Sequence, residues 1–326
     1  DNNQGAVETL FWELELGAEI LATAEAPHIK PERLDPPDVF SAYLHALKWN
    51  AVSATDSELF QSPFRAGIAL KAHQLVPLQK ALDMPRANLF IADDVGLGKT
   101  IEAGLVLQEL LLRQRVDFSL IVCPPSVSLQ WRSEMRLRFG LNFEIVDRDF
   151  IARKKRERGF ATNPWDTHNR FIVSYQTLRR EEYKEPLLVR LGERARKSLL
   201  ILDEAHTVAP ASASVYAVDS RLTRLVRDLA PRFENRLFLS ATPHNGHSNS
   251  FSSLLEMLDP NRFTRGVKVS AKERDKVMVR RLKADLRELG GSDVPERRVV
   301  RLEMTPGPSG WFLNSTGEDG FKDVLL

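Results

Sequence analysis

The sequence has little of what marks secreted or membrane-bound proteins. It contains one cysteine, Cys123, so no disulfide can form within the chain, which fits a reducing compartment such as the cytoplasm. No apolar run reaches the roughly 18 residues that a membrane-spanning helix needs. No charged and apolar signal segment follows Asp1. We therefore expect a cytoplasmic protein that does not enter a membrane.

The chain also has little excess charge of either sign. Its 46 Lys and Arg residues nearly balance its 44 Asp and Glu residues, for a formal net charge of +2. Overall charge therefore neither favours nor excludes a nucleic-acid partner, and any basic binding surface has to be local. With 326 residues, 43% of them hydrophobic, the chain can bury the core of one large or two smaller domains.

The first 65 residues form a segment of their own character. Apolar residues recur there at helical spacing, interrupted by Pro27, Pro36 and Pro37. No pattern of catalytic residues occurs in this segment. We interpret residues 1–65 as an accessory segment of short amphipathic helices.

From about Leu70 onwards, short apolar runs alternate with segments of helix length, which predicts an α/β fold around a buried parallel sheet. The predicted strands are 88–92, 119–123, 143–146, 171–174, 199–202 and 236–239. The clearest helical patterns are 101–113, 128–139, 221–229 and 248–258. Ligands of such sheets bind beyond the carboxyl ends of the strands. The residues that follow each apolar run are therefore the candidates for a functional site.

A glycine-containing segment, here named the phosphate loop, follows the first predicted strand and reads Asp93-Asp94-Val95-Gly96-Leu97-Gly98-Lys99-Thr100. Glycine lets the backbone turn so that its N–H groups face phosphate oxygens, and the following helix start favours an anion. Lys99 is placed to reach the β and γ phosphates, and the Thr100 hydroxyl is placed to ligate Mg²⁺. Asp93 stands where the strict pattern has glycine, and an ordinary glycine turn is the alternative interpretation.

An acidic pair follows the fifth predicted strand, in the segment Asp203-Glu204-Ala205-His206. A carboxylate at a strand end can hold Mg²⁺, usually through water. A second carboxylate beside it can orient and deprotonate an attacking water. A solvated acidic turn is the alternative, but the four apolar residues before Asp203 place the pair at the carboxyl edge of the sheet.

Small hydroxyl residues follow the last predicted strand, in the segment Ser240-Ala241-Thr242-Pro243. Alone, this segment reads as an ordinary turn. Its weight comes from its place, because it is third in order after the Lys-Thr and Asp-Glu segments and lies again at a strand end.

In this order the three segments resemble superfamily-two helicases, and closely their SWI/SNF-type branch, with Asp203–His206 similar to the DEAH box. Further matches are Leu70–Gln74 to the adenine-reading motif, Leu120–Ser126 with Gln130, Trp131 and Glu134 to motif Ia, Ser174–Leu178 to motif Ib, and Val279–Lys283 to the Arg-Arg-x-Lys element that closes the lobe. Motif I usually has Glu where Asp94 stands, a change that we expect to be tolerated. The run Gly98–Gly104 is most similar to the bacterial branch, which includes an RNA-polymerase-recycling ATPase and the helicase of the DISARM phage-defence system.

The resemblance implies a RecA-like ATPase lobe that uses ATP and Mg²⁺ and contacts nucleic acid. It assigns nucleotide binding to Gln74, Asp94, Gly96, Leu97, Gly98, Lys99 and Thr100, catalysis to Lys99 and Glu204, and Mg²⁺ binding to Thr100 and Asp203. Candidate contacts to the nucleic-acid backbone are Ser126, Gln130, Gln176 and Thr177, and the residues that couple them to ATP are Ser240 and Thr242. Small hydroxyl and amide groups can hold phosphates without reading sequence, although helix caps and turns use the same residues.

Motors of this family have two such lobes, with ATP in the cleft between them. The resemblance implies a RecA-like lobe over residues 66–296 and the entry to a second lobe over residues 297–326, so we expect the chain to be part of a longer protein. The second lobe of the family supplies an arginine finger. We therefore expect residues 1–326 alone to hydrolyse ATP slowly. Arg280 and Arg281, in a stretch that looks helical, are expected to pack the lobe rather than to act as that finger.

The favoured function is translocation along double-stranded DNA, with a larger protein complex as a further partner. A strand-separating helicase acting on DNA or RNA, and a nucleotide-dependent scaffold without catalysis, remain open. Two local features are also ambiguous. The basic run 153–158 is either a solvated surface or a DNA contact. Trp131 lies in an apolar helical pattern that favours core packing, with stacking on a base as the alternative.

Overall fold

The structure is a computed structural model that describes residues 36, 39, 60–193, 195–210, 219–242, 248–283, 303–307 and 310–314. The chain divides into two compact units, residues 1–282 and 283–326. In the described part of the second unit, the strands Glu303–Gly307 and Gly310–Asn314 pair as an antiparallel hairpin. In the described residues no helix is long and apolar enough to span a membrane.

A seven-stranded sheet, parallel throughout, forms the centre of the first unit. Its strands are β1 (Asn88–Ile91), β2 (Phe118–Cys123), β3 (Glu144–Val146), β4 (Arg170–Ser174), β5 (Ala195–Leu202), β6 (Phe233–Leu239) and β7 (Met278–Val279). Their spatial order is β3-β4-β2-β5-β6-β1-β7. Because every pair is parallel, the carboxyl ends of all strands lie along one edge, with β5, β6 and β1 as neighbours.

Helices connect the strands and cover both faces of the sheet. They are α1 (Ser62–Arg65), α2 (Leu75–Leu82), α3 (Lys99–Leu112), α4 (Ser128–Phe139), α5 (Arg148–Arg158), α6 (Tyr175–Leu178), α7 (Glu181–Leu191), α8 (Arg221–Leu229), α9 (Ser248–Leu258) and α10 (Ala271–Val277). Every residue of β1 and β2 is buried, which explains why these strands are mostly apolar, apart from Asn88 and Ser119, and do not alternate with polar residues. Successive side chains serve opposite faces: Phe90 packs in one core cluster, and Leu89 and Ile91 pack in the other.

The close contact between α3 and α4 depends on one glycine. A Cβ added at Gly104 would lie 2.2 Å from the Phe139 ring, far inside van der Waals contact. Because Phe139 is 1% exposed at the end of α4, its ring has little room to move away. The glycine therefore lets the helix that follows the phosphate loop lie directly on α4.

The predicted α/β architecture is confirmed, including all six predicted strands. The helices at 128–139, 221–229 and 248–258 have the predicted bounds, and the helix predicted at 101–113 begins two residues earlier. The helix α7 was not predicted, and it contains Pro186, a residue that normally interrupts a helix.

The helical stretch expected around Arg280 and Arg281 is wrong. Met278 and Val279 instead pair with Phe90 and Ile91 as the short strand β7, and no helix follows at residues 280–282. Basic residues are compatible with a helix at this position, but Met278 and Val279 pair with the edge of β1 instead. The two arginines therefore continue a strand toward the carboxyl edge.

Of the expected accessory segment 1–65, most lies outside the described residues. At its end, the backbone N–H groups of Gln61 and Ser62 donate to Oε2 of Glu109 at 2.9 and 2.7 Å. Glu109 is fully buried in α3 and pairs with Arg113 at 2.8 Å. A buried carboxylate thus caps α1 and holds it on the sheet's helical layer. The boundaries at 65/66 and 296/297 stay proposals.

Candidate functional site

Three neighbouring strands end in the three segments that the sequence pattern singles out. The phosphate loop follows β1, Asp203 and Glu204 follow β5, and Ser240 follows β6. The backbone N–H of Ser240 donates to the carbonyl of Ile91 at 3.1 Å, and that of Asp203 donates to the carbonyl of Val122 at 2.9 Å. The hydrogen bonds between neighbouring strands thus continue as far as the site and fix where each segment begins.

The phosphate loop turns at two glycines in left-handed conformations. Gly96 has φ of 83° and Gly98 has φ of 95°, which other residues adopt only at a cost. At Gly98 space is a second constraint, because an added Cβ would lie 2.7 Å from Nε2 of Gln74. The helix α3 begins directly afterwards, at Lys99, so its first N–H groups face the loop.

Lys99 and Thr100 lie in the first turn of α3, as the phosphate-loop pattern predicts. The Lys99 ammonium donates to the carbonyls of Asp93 and Asp94, at 2.9 and 3.4 Å. It therefore crosses the concave side of the loop. Thr100 is half-buried beside it. At these positions the Lys99 ammonium and the Thr100 hydroxyl can both contact a polyphosphate.

The segment that resembles an adenine-reading motif also supports the phosphate loop. Nε2 of Gln74 donates to the carbonyl of Leu97 at 3.5 Å, and Nε2 of His73 lies 3.4 Å from the same oxygen. Oε1 of Gln74 accepts from the backbone N–H of Lys71 at 3.4 Å. Burial lowers the pKa of His73, so its ring is neutral at pH 7. This supporting contact was not predicted from the sequence.

Asp93, the residue that departs from the strict loop pattern, has a structural role. It is fully buried, its carboxylate accepts the backbone N–H of Arg281 at 3.0 Å, and it pairs with the guanidinium of the same residue. That guanidinium also pairs with the buried carboxyl of Glu102 and donates to the carbonyl of His73. Burial, and then the nearby charge of Asp93, raises the pKa of Glu102 to about 9.

Arg281 is accordingly a packing residue, as expected. Its side chain is 14% exposed, and its partners come from the phosphate loop, from α3 and from the adenine-reading segment. The adjacent Arg280 is exposed, so the packing expected for it is wrong. Residue 281 is thus tied to the phosphate loop and to α3 through its guanidinium.

Asp203 is held at three points. Its Oδ2 accepts the indole N–H of Trp131 at 2.8 Å, its Oδ1 accepts the backbone N–H of Glu204 at 3.0 Å, and its carbonyl accepts the hydroxyl of Tyr175 at 2.8 Å. Burial raises the pKa of Tyr175, so its hydroxyl remains a donor. The core packing expected for Trp131 is confirmed, and a ring that is 2% exposed cannot stack on a base. Its bond to Asp203 was not predicted.

Glu204 and Ser240 are connected through His206. Glu204 has a left-handed backbone, with φ of 50° and ψ of 47°, a conformation that is uncommon outside glycine and clusters at functional sites. Its Oε2 lies 3.2 Å from Nδ1 of His206, which lies 3.0 Å from the Ser240 hydroxyl. Ser240 is buried and accepts the N–H of Thr242 at 3.2 Å, and Thr242 itself is exposed. Pro243 lies outside the described residues.

The next two strands along the edge, β2 and β4, end in the predicted nucleic-acid contacts. Ser126, Gln130 and Gln176 are exposed, and Thr177 is half-buried. The Thr177 N–H donates to the Ser174 hydroxyl at 3.0 Å, and that hydroxyl donates to Thr177 Oγ1 at 2.9 Å. Thr177 is therefore engaged in the cap of α6, whereas the other three present side chains to solvent.

Two other features lie apart from this group of residues. The basic run 153–158 forms the end of α5, where Arg153 and Lys154 pair with Glu157 at 3.9 and 2.9 Å. It lies on an exposed helix face, and part of its charge is neutralised. A cavity of about 650 Å³ has Asn88, Arg236 and Pro260 among its lining residues. Asn88 begins β1, so this cavity lies at the amino edge of the sheet, opposite the phosphate loop.

Comparisons with known proteins agree with this arrangement. The RNA polymerase-associated protein RapA of Serratia proteamaculans is 31% identical over 255 residues, which cover 75% of this chain and 25% of that protein. RapA of Actinobacillus succinogenes is 32% identical over 266 residues, covering 78% and 26%. The chain thus spans about a quarter of the length of the curated relatives that it matches.

A solved structure shares the fold. The SWI2/SNF2 ATPase core of Sulfolobus solfataricus, determined in complex with dsDNA, superposes with a TM-score of 0.52 at 19% identity, over 73% of this chain and 49% of that chain. The model of the SNF2-related domain family matches residues 43–314, most of the sequence. The chain therefore belongs to the SNF2-related domain family, and its parallel sheet is a RecA-like ATPase lobe of the bacterial SWI/SNF type.

Proposed function

We propose that this chain is the first ATPase lobe of a motor that moves along double-stranded DNA at the expense of ATP. One observation carries the proposal: neighbouring strand ends hold the phosphate loop, the pair Asp203 and Glu204, and the hydroxyl of Ser240. The next strand ends along the same edge present the exposed side chains of Ser126, Gln130 and Gln176. Nucleotide and nucleic acid are thus proposed to occupy one edge.

The residues present suit a magnesium nucleotide. The loop turns at Gly96 and Gly98 in left-handed conformations, which lets its backbone N–H groups face phosphates. Among the described residues no group of three or more His, Cys, Asp and Glu side chains can hold a metal. One carboxylate, from Asp203, with the Thr100 hydroxyl and phosphate oxygens, is the ligand set that Mg²⁺ prefers. Thr100 and Asp203 would hold Mg²⁺, which would neutralise the negative charge that develops on the phosphate oxygens.

The chain's own side chains supply the remaining chemistry. Lys99 carries positive charge to the β and γ phosphates. Glu204 orients the attacking water and accepts its proton. Its backbone is left-handed, and its carboxylate lies 3.2 Å from Nδ1 of His206. His206 connects Glu204 to Ser240. A movement of the segment after β5 is therefore transmitted to the segment after β6.

The nucleic-acid contacts are proposed to be phosphate contacts. Hydroxyl and amide groups donate to phosphate oxygens and fix position without reading base sequence. We favour duplex DNA because the similar archaeal core was solved with dsDNA. We also propose a complex with RNA polymerase, since the relatives are named RNA polymerase-associated proteins. The same names favour that setting over phage defence.

Substituting Lys99 by alanine tests the nucleotide site. We expect Lys99→Ala to remove most of the affinity for ATP with Mg²⁺ in calorimetric titration, because the loop loses its only cation. The fold should be retained, since the Lys99 ammonium contacts only two loop carbonyls. Lys272→Ala, at an exposed position of α10, is the matched control and should bind ATP like the wild type. Equal binding by Lys99→Ala and Lys272→Ala would rule out this site.

A further inference from the structure

The contacts of Asp203 extend beyond its own strand end. Trp131 donates to one carboxylate oxygen and Tyr175 donates to the backbone carbonyl, each at 2.8 Å. Trp131 lies 72 residues before Asp203 in the chain, and Tyr175 lies 28 residues before it. Both donors are almost fully buried, at 2% exposure. Asp203 is therefore fixed by two rigid side chains from different elements.

These two elements are the ones that carry the candidate nucleic-acid contacts. Trp131 follows Gln130 in α4, after the strand β2. Tyr175 precedes Gln176 at the start of α6, after the strand β4. In each element, one residue faces solvent and its chain neighbour is bonded to Asp203.

These hydrogen bonds leave the Asp203 carboxylate able to bind a cation. Each carboxylate oxygen has two acceptor sites. Oδ2 uses one of them for the Trp131 indole, and Oδ1 uses one for the Glu204 N–H. One site remains on each oxygen, and the bonds already made fix the plane of the group. Such outer partners orient a ligand, and their loss typically lowers metal affinity by about 10–100-fold.

We propose that Trp131 and Tyr175 are positioning residues that hold Asp203 in the geometry for Mg²⁺ and tie it to the two nucleic-acid-binding elements. The inference rests on the proposed function, in which Asp203 holds Mg²⁺. Nucleic acid that displaces or stiffens α4 or α6 acts on Asp203 through a single hydrogen bond in each case.

The chain offers a matched control for Trp131. Trp165 is likewise buried, at 0% exposure, and its indole N–H donates to the carbonyl of Tyr183 at 3.0 Å. It packs on Phe171 and has no bond to Asp203. Trp165→Phe therefore removes one buried indole hydrogen bond, as Trp131→Phe does, without touching the site.

The test is ATP binding to the full chain by calorimetry, once with Mg²⁺ and once with EDTA. We expect Trp131→Phe to weaken binding about tenfold with Mg²⁺ and to leave binding in EDTA unchanged. Trp165→Phe should match the wild type in both. The inference is overturned if Trp131→Phe matches Trp165→Phe with Mg²⁺, or if it loses as much affinity in EDTA.

Tyr175→Phe is the second variant and carries the test if Trp131→Phe fails to fold. It removes one oxygen and keeps the ring, so we expect a Mg²⁺-dependent loss of about two- to tenfold. An unchanged affinity overturns the role of Tyr175. Asp203→Asn separates this inference from the proposed function. If Asp203→Asn keeps the wild-type difference between Mg²⁺ and EDTA, the proposed Mg²⁺ role of Asp203 fails, and the inference fails with it.

The affinity for nucleic acid provides the second measurement. If Trp131 only packed the core, its substitution would leave the effect of ATP on this affinity unchanged. Affinity for a labelled duplex is measured by anisotropy with and without ATP and Mg²⁺, and the ratio reports the coupling between the two ligands. We expect the ratio to move toward one in Trp131→Phe, which keeps only the bond from Tyr175, and to stay at the wild-type value in Trp165→Phe. Equal ratios in the two variants overturn the tie between Asp203 and the nucleic-acid-binding elements.

Discussion

In a complete enzyme with both ATPase lobes, replacing Glu204 by glutamine is expected to abolish ATP hydrolysis while leaving ATP binding intact. An amide has nearly the shape of the carboxylate but cannot accept a proton from the attacking water. General-base catalysis of this kind typically contributes about 10²–10⁴-fold to a rate, and we expect a loss of that size. Binding should persist, because Lys99, the phosphate loop and Asp203 are unchanged. Phosphate release measures ATP hydrolysis, and calorimetry on the same preparation measures ATP binding.

The matched control for this experiment is Glu182→Gln. Glu182 is 66% exposed in α7, so its substitution makes the same chemical change far from the strand-end residues. It should hydrolyse ATP at the wild-type rate. If Glu204→Gln also hydrolyses at that rate, the general base lies elsewhere and the role given to Glu204 is wrong.

Replacing Arg281 by alanine is expected to destabilise the lobe strongly. The guanidinium pairs with Asp93 and Glu102, both fully buried, and donates to the carbonyl of His73. Removing one partner of a buried ion pair leaves an uncompensated charge and typically costs about 3–5 kcal/mol. We expect the free energy of unfolding in urea to fall by that amount. ATP affinity should fall as well, because Asp93 begins the phosphate loop.

Arg280→Ala is the control, one residue away on an exposed position. Exposed substitutions usually change stability by about 0.5 kcal/mol or less. Equal stability losses in the two variants would contradict the packing role of Arg281. A loss of hydrolysis in Arg280→Ala at full stability would instead make Arg280 a catalytic arginine.

The sequence predicted the sheet and the position of its site because both depend on local signals. A parallel strand buried on both faces is a continuous apolar run, and the functional residues follow such runs directly. The predicted strands 119–123 and 236–239 were read in this way, and so were Lys99 and Asp203 after their strands, although the observed strands begin earlier, at Phe118 and Phe233. The strongly amphipathic helix Arg221–Leu229 was found with its bounds.

What the sequence did not predict depends on contacts between distant residues. The pairing of Asp93 with Arg281 spans 188 positions, and the bond from Trp131 to Asp203 spans 72. Asp93 looked like a defect in the loop pattern, yet it is half of a buried ion pair. The strand β7, two residues long, is too short for any periodicity. Each of these features exists only after the sheet has brought its strand ends together.

Amide hydrogen exchange with bound ligands tests most directly the claim that nucleotide and nucleic acid share the carboxyl edge of the sheet. With ATP and Mg²⁺, we expect slower exchange in peptides covering 93–104 and 203–206. With a short duplex, we expect slower exchange in peptides covering 126–131 and 175–178. Peptides covering 84–88 and 259–262, beside the cavity at the amino edge, should exchange at the same rate throughout. Protection by ATP confined to that cavity, or no protection of 93–104, would contradict the account.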